Sequence, residues 1–359
     1  MTMPKRTWHK GRGALSAPPG RFESVLTEAL DDGWGGLDEP VPAPETTVGV
    51  DRARSVIAWN QSPDVPFDRS INPYRGCEHG CIYCFARPSH SWYGLSPGQE
   101  FETQLFYKPE AARLLEAEIR SPKYEPAPIT LGANTDPYQP IERSYRVTRG
   151  LLEVLADYRH PVSIITKGAL VERDLDVLQE LARYDAVSVM ISLTSMDAGL
   201  KRLLEPRAAA PGRRLRTIER LNEAGIPVGT LIAPVIPALT DHELEYLLQA
   251  AADAGARSAG YVLLRLPHEV EPLFTEWLRA HYPDRAERVL NHLRDAHGGA
   301  CYDASFGQRM RGSGAYADLL RKRFRVASRR AGIDPSRRIT LSADAFRRPP
   351  RSGDQTELF

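Results

Sequence analysis

Four cysteines are all that this chain of 359 residues contains, too few and too unevenly placed for a disulfide framework. No apolar run approaches the ~20 residues of a membrane span. The opening MTMPKRTWHKGRGA is basic but lacks the apolar stretch of a secretory signal. These absences place the expected compartment in the reducing cytoplasm and exclude a membrane-embedded function. No internal repeat is detectable. Charge of one sign is also missing locally. Between residues 22 and 50 there are seven acidic residues and no Lys or Arg, whereas residues 309–351 hold thirteen Lys or Arg against three Asp. The net charge of +1 hides this segregation. Either the two ends form a solvated surface and touch each other, or the basic tract binds phosphates. Residues 1–21, basic and rich in Gly, Pro and Ser, read as an unstructured arm.

With 42% hydrophobic residues the chain can bury a sizeable core. Its middle alternates apolar, β-branched runs with amphipathic stretches. PITLGAN (128–134), PVSIITKG (161–168), AVSVMISLTS (186–195), PVGTLIAPVI (227–236) and SAGYVLLRLP (258–267) read as buried strands of a parallel sheet covered on both faces. Segments 109–120, 146–158, 173–184, 213–224 and 241–254 read as the helices between them. EAGIP closes one of these, with Gly225 past its end and Pro227 as the stop. A further strand around RSINPYR (69–75) brings the total to about six βα units. The fold class is therefore α/β, an incomplete (βα)6 barrel of the TIM type, whose active face lies at the C-terminal ends of its strands. The expected organisation is an N-terminal arm over 1–59, a core barrel over 60–270, a helical, basic C-terminal extension over 271–335 and a tail over 336–359.

Three of the four cysteines, Cys77, Cys81 and Cys84, lie in GCEHGCIYC, spaced Cys-x3-Cys-x2-Cys directly after the first strand. Zinc usually takes four protein ligands in paired knuckles, which this triple spacing matches poorly despite His79 and His90 nearby. A ferredoxin-type cluster needs four cysteines, and Cys301 would have to be the fourth. Buried structural thiols would not require the spacing. What remains is a [4Fe-4S] cluster held by three thiolates, with one iron open to a further ligand.

The spacing, with Tyr83 before the last cysteine, resembles the signature of radical S-adenosylmethionine (radical SAM) enzymes. INPYRGCEHGCIYCFARPSH, GANTDPYQPIE, IITKG, SLTS, EPRAAAPGRRL and PVGTLIAPVIPALTD resemble the spore photoproduct lyase-related, DNA repair photolyase-like branch over about residues 71–241, with a scattered match at YDASFGQRMRGSGAY. The resemblance implies that S-adenosyl-L-methionine chelates the open iron, that an electron donor of flavodoxin or ferredoxin type reduces the cluster, and that the 5'-deoxyadenosyl radical so formed abstracts hydrogen from a substrate. It further implies that Asn134, Thr135 and Asp136 meet the SAM amino group, that Lys167 and Ser192 meet its carboxylate, and that Tyr83 packs near the adenine. Asn, Asp and Pro also form turns, Ser192 also suits a core hydroxyl, and Arg207 also suits a surface position. The lyase uses an extra cysteine to return hydrogen to its substrate. None stands between Cys84 and Cys301, which leaves Cys301 as the candidate hydrogen donor, with Tyr302 or Tyr316 as radical relays in its place.

Nucleic acid is the leading substrate class. Modification of a small molecule or protein is the alternative within enzymes, and a metal-cluster nucleic-acid-binding module is the alternative outside them. The terminal DQTELF places Gln355, Leu358 and Phe359 in the pattern with which bacterial repair proteins dock on the sliding clamp, where a few apolar anchors carry most of the binding.

Overall fold

The structure, a computed structural model, describes residues 9–23, 44–334 and 339–350. Six strands, Arg69–Ile71, Ile129–Leu131, Val162–Thr166, Val187–Leu193, Val228–Val235 and Ala259–Leu263, pair in parallel in that order. They are counted below as the first to the sixth. A short strand, Ala58–Trp59, runs antiparallel outside the first. Among the described residues no strand pairing joins the sixth strand to the first, and the sheet is open there.

The strands form where the apolar runs predict them because both faces are covered. Ile129, Leu131, Val162, Ile164, Val187 and Val189 are fully buried on one face, and Thr130, Ser188 and Ser192 are buried on the other. The intervening helices supply the outer layer, among them Ala111–Arg120, Val147–Asp157, Leu175–Ala182, Pro211–Glu223 and Leu244–Asp253. Each buries one apolar stripe, such as Leu151, Leu152 and Leu155 on the second of these. Helices that the sequence places at residues 173 and 241 begin instead with 3-10 turns, Ala169–Asp174 and Asp241–Glu243.

RSINPYR is not one strand. Pro73 lacks the amide that a ladder needs, and the chain divides there. Arg69–Ile71 stays in the large sheet, while Tyr74–Arg75 joins Thr47–Val50 and Gln104–Tyr107 in a separate three-stranded sheet. That small sheet carries the cysteine loop on its edge.

Beyond the barrel, helices Val270–His281, Pro283–Ala296 and Gly314–Arg330 follow. The first two build a second core containing Trp277, Leu290 and Leu293 together with Ile82 and Tyr83 of the cysteine loop, while Leu320, Phe324 and Ala327 of the third pack on the main core. Among the described residues no helix is long and apolar enough to cross a membrane.

Candidate active site

The cysteine loop begins where the chain leaves the small sheet and turns on two glycines in the left-handed region, Gly76 (φ 69°) and Gly80 (φ 67°). A side chain at either would be strained. The loop is pinned on both sides by backbone bonds. The Cys77 amide donates to the Phe101 carbonyl at 2.9 Å, and the Ile82 amide to the Leu204 carbonyl at 3.1 Å. Inside it, Gly80 and Cys84 amides return to the Cys77 and Cys81 carbonyls. Gln139 clamps it from the second strand's loop, accepting from the Glu78 amide and donating to the Gly76 carbonyl.

Cys77 and Cys81 are buried and Cys84 nearly so. Burial pushes all three thiols above the ordinary thiol range. Asp136 adds to this at Cys77 and Glu205 at Cys81, while the Ala86 amide, Arg87 and Lys167 pull Cys84 the other way. Cys81 and Cys84 also push up the pKa of Cys77, and Cys84 that of Cys81, as close neighbours do. As thiolates they would need positive charge in the space they face, which is what a metal centre supplies when it deprotonates its thiol ligands. Among the described residues no three His, Cys, Asp or Glu side chains are grouped so as to hold a single metal ion. In a four-iron cluster each thiolate takes a different iron, and three soft donors on one loop fit that group.

Two buried ion pairs flank the loop. On one side Arg87, fully buried, donates to the carbonyls of Cys81 (3.0 Å), Pro97 (3.1 Å) and Gly98 (2.8 Å) and to the carboxylate of Glu102. Glu102 in turn accepts the amides of Gly13 and Ala14, each at 2.9 Å. Residues 9–15, whose composition suggests an unstructured arm, are thus held against the cysteine loop. Only glycine fits at Gly13, since a Cβ there would lie 1.9 Å from the Gly80 carbonyl oxygen. On the other side Arg214 donates to the Ser192 carbonyl at 2.9 Å and to the carboxylate of Glu205. Glu205 also accepts from the Tyr83 hydroxyl and from Thr194 at 2.6 Å. Burial acts to raise the Glu205 pKa, but Arg214 and Lys167 outweigh it and hold the group well below the usual carboxylate range.

The residues singled out in the sequence distribute around this loop as follows. The Lys167 ammonium, at the end of the third strand, lies 3.7 Å from Glu205, 3.3 Å from the Ala233 carbonyl oxygen and 5.9 Å from the centre of the Tyr83 ring. Ser192 is buried in the fourth strand. Tyr83 is fixed by Glu205, a partner that sequence reasoning did not find. Thr135 is buried, and its hydroxyl donates to the Tyr74 carbonyl at 2.9 Å. Asp136 is already filled: its oxygens accept from the Thr166 hydroxyl (2.6 Å) and from the Tyr138 and Lys167 amides (2.8 and 2.7 Å), with the His79 ring nitrogen 3.3 Å away. Burial acts to raise its pKa, but His79 and these donors hold it below the ordinary aspartate value. It therefore orders the loop between the second and third strands. The Asn134 amide donates to the Asn72 side chain at 2.9 Å, which places Asn134 at the mouth beside the first strand's end. Arg207 pairs with Glu78 at 2.9 Å.

Cys301 does not join the three clustered thiols. It is buried in the second core beside Glu271 and Arg294, and burial, with Glu271 adding, pushes its pKa up to about 11. Tyr316 donates to Asp241 at 2.9 Å, and Tyr302 lies by Arg265. Gln355, Leu358 and Phe359 lie outside the described residues.

Comparison with known proteins agrees with this geometry. An uncharacterized protein of Mycobacterium tuberculosis (strain ATCC 25618 / H37Rv) is 39% identical over 242 residues, 66% of this chain and 71% of that protein. One from Methanocaldococcus jannaschii is 28% identical over 221 residues, 62% and 79% of the two chains. Among solved structures, spore photoproduct lyase complexed with dinucleoside spore photoproduct aligns with a TM-score of 0.55 at 16% identity, covering 79% of this chain and 78% of that one. A mutant of the same lyase with bound AdoMet and the dinucleoside aligns with a TM-score of 0.52 at 15% identity and the same coverage. This likeness is one of fold. The family model of the Radical SAM superfamily matches residues 71–251, a span that holds the cysteine loop and the second to fifth strands, and the chain belongs to that superfamily.

Proposed function

We propose that this chain holds a [4Fe-4S] cluster on Cys77, Cys81 and Cys84, cleaves S-adenosyl-L-methionine reductively, and directs the resulting radical at nucleic acid. The observation that carries the reading is the gathering of three thiols, and only three, on one loop beyond the strand ends, Cys77 and Cys81 buried and Cys84 half-buried. Bound there, the cluster would supply the electron that splits the sulfonium bond and releases a 5'-deoxyadenosyl radical.

The rest is the work of the chain. Lys167 presents an ammonium at the mouth, suited to the SAM carboxylate, and Glu205 and the Ala233 carbonyl aim it. Ser192 and Asn134, at neighbouring strand ends, are the polar groups proposed to complete the contact with SAM. Thr135 and Asp136 brace the backbone that carries Asn134. Tyr83, locked by Glu205 and with Lys167 facing its ring, offers an apolar wall. The arm over residues 9–15 and the helices of the second core cover the loop, and covering excludes water from a reactive site.

Nucleic acid as substrate is supported by the fold shared with a lyase whose structure holds a dinucleoside, and by the exposed arginines of Gly314–Arg330, such as Arg321, Arg325 and Arg329. Cys301, protonated and buried, is the candidate hydrogen donor. Anaerobic reconstitution with iron and sulfide, followed by a reductant and SAM, tests the core of the proposal. The expected result is about four irons per chain and formation of 5'-deoxyadenosine. A protein that binds no iron, or that binds it and leaves SAM intact, refutes it.

A further inference from the structure

The two most buried arginines, Arg87 and Arg214, each face a carboxylate. Arg265 does not. It stands just beyond the end of the sixth strand, and among the described residues no carboxylate lies within ion-pair distance of it. Its Nε is buried without a hydrogen-bond partner. Its Nη1 lies 3.4 Å from the Met310 sulfur, a weak acceptor, and Tyr302 is its other polar neighbour. Asp64, the nearest acid, already accepts from Gly307 at 2.6 Å and from Arg309. A half-buried guanidinium whose Nε has lost water without gaining an anion is costly, and here burial and the nearby Arg309 both lower its pKa.

What surrounds Arg265 makes its position useful. Its guanidinium carbon sits 4.6 Å from the centre of the Phe85 ring. Phe85 directly follows Cys84 on the cysteine loop, yet the ring is 42% exposed. The turn at 302–311, the YDASFGQRMR stretch that the proposed chemistry leaves unused, is drawn in beside it. The Leu263 amide donates to the Met310 carbonyl at 2.9 Å, and Arg309 and Gly307 reach Asp64 on the loop before the first strand. The turn therefore spans the two edges of the open sheet and presents Phe306, 60% exposed with Arg309 over its ring. Exposed rings and an uncompensated cation at one mouth combine the two elements of single-stranded nucleic-acid binding, base stacking and phosphate contact.

We propose that Arg265 and Phe85 form a seat for one unstacked nucleotide, Arg265 taking the phosphate and Phe85 the base. The inference rests on nucleic acid being the substrate class and names the residues that receive it. A lone phosphate would satisfy Arg265 but leave Phe85 without purpose, so the test separates the two contacts.

Fluorescence anisotropy with the full-length protein, a labelled ten-nucleotide oligothymidylate and an abasic chain of equal length reads both. Wild type is expected to bind the oligothymidylate more tightly than the abasic chain. Phe85→Leu should remove that difference by weakening the oligothymidylate alone, about fivefold or more. Arg265→Gln should weaken both by about tenfold or more, and Arg265→Lys should restore part of the loss, which a folding defect would not do. Arg216→Ala, which removes one exposed charge from helix Pro211–Glu223 on the outside of the sheet, should cost no more than about threefold. Equal losses for Arg265→Gln and Arg216→Ala overturn the proposal. So does a wild-type protein that holds iron and cleaves SAM but binds no oligonucleotide, a result that leaves the enzymatic reading standing. A protein that binds as predicted but holds no iron keeps the seat and removes the enzyme.

Discussion

Glu102→Gln changes one oxygen to an amide and should loosen the whole cysteine loop. The carboxylate is fully buried and accepts from Gly13, Ala14 and Arg87. Glutamine removes the charge that Arg87 faces and sets an NH2 group against donors. Arg87 cannot escape to water, because it is fully buried and tied to the carbonyls of Cys81, Pro97 and Gly98. Breaking such a pair on one side costs ~3–5 kcal/mol. At about 2 °C per kcal/mol for a chain of this size, melting should fall by about 6–10 °C. Thermal unfolding followed by circular dichroism reads that loss. Limited proteolysis within residues 9–15 reads release of the arm, and iron retained after anaerobic reconstitution reads the loop itself. The double variant Arg87→Met with Glu102→Leu separates charge from packing. Apolar replacement of both partners removes the uncompensated buried charge but takes the side-chain partner from the Gly13 and Ala14 amides and the Cys81, Pro97 and Gly98 carbonyls, so it should recover only part of the melting temperature while the arm, deprived of its acceptor, stays sensitive to protease. If Glu102→Gln melts with the wild type and its arm stays protected, the pair does not hold the loop and the argument fails.

Alanine at Cys77, Cys81 or Cys84 should each abolish iron incorporation, whereas Cys301→Ala should retain it; loss of iron from Cys301→Ala would restore the four-cysteine alternative. Lys167→Ala should weaken SAM binding by roughly tenfold or more in protein that still holds iron, as measured by equilibrium dialysis, and unchanged affinity would remove Lys167 from the site. His90 and His160 are buried, and burial lowers each pKa to about 4; the unfolded chain then binds more protons below about pH 6.5. Stability should therefore be full above that pH and fall toward pH 4, at up to about 1.4 kcal/mol per pH unit for each histidine, and His160→Phe should flatten part of the slope in melting temperature against pH. A peptide of the last dozen residues should bind the sliding clamp of the same organism, and the version with Leu358→Ala and Phe359→Ala should not; equal binding by both, or by neither, removes that partner.

The barrel and the three thiols were legible because each depends on a local pattern. Apolar runs of four to eight residues report burial on both faces of a sheet, and the runs at 161–168 and 186–195 became strands. Cys-x3-Cys-x2-Cys needs no knowledge of distant residues. The division of RSINPYR was visible in Pro73 but outweighed by the apolar and β-prone residues around it. A carboxylate beyond a strand end suits an ammonium, which is what Asp136 offers in the sequence; its four partners are His79, Tyr138, Thr166 and Lys167, and only the fold brings these together. The pairs Arg87–Glu102 and Arg214–Glu205 have no periodic spacing, and among so many charged residues nothing marks these four as buried. For Arg214 a faint signal exists in the EPRAAAPGRRL stretch, but that stretch offers Arg207 equally, and Arg207, itself exposed, pairs with the buried Glu78 of the cysteine loop. The arm over residues 9–15 was misleading for a different reason. Composition averages hydropathy, whereas this arm is held by two backbone amides meeting one buried carboxylate and by a glycine that lets the chain touch Gly80.

The placement of the two ion pairs argues for geometry over stability as their use. Neither pair adds net charge, and two apolar pairs of similar volume could fill the same space at comparable free energy. What they could not do is reach the backbone. Arg87 takes the Cys81 carbonyl on one flank, while Arg214 takes the Ser192 carbonyl and, through Glu205, fixes Tyr83 and draws Lys167 on the other. Each arginine is directional in several donors at once, so the loop between them is held against both the arm and the strand ends. The paired arginines thus serve position, whereas Arg265, with no carboxylate within ion-pair distance among the described residues and Phe85 beside it, keeps its charge available to something that arrives from outside.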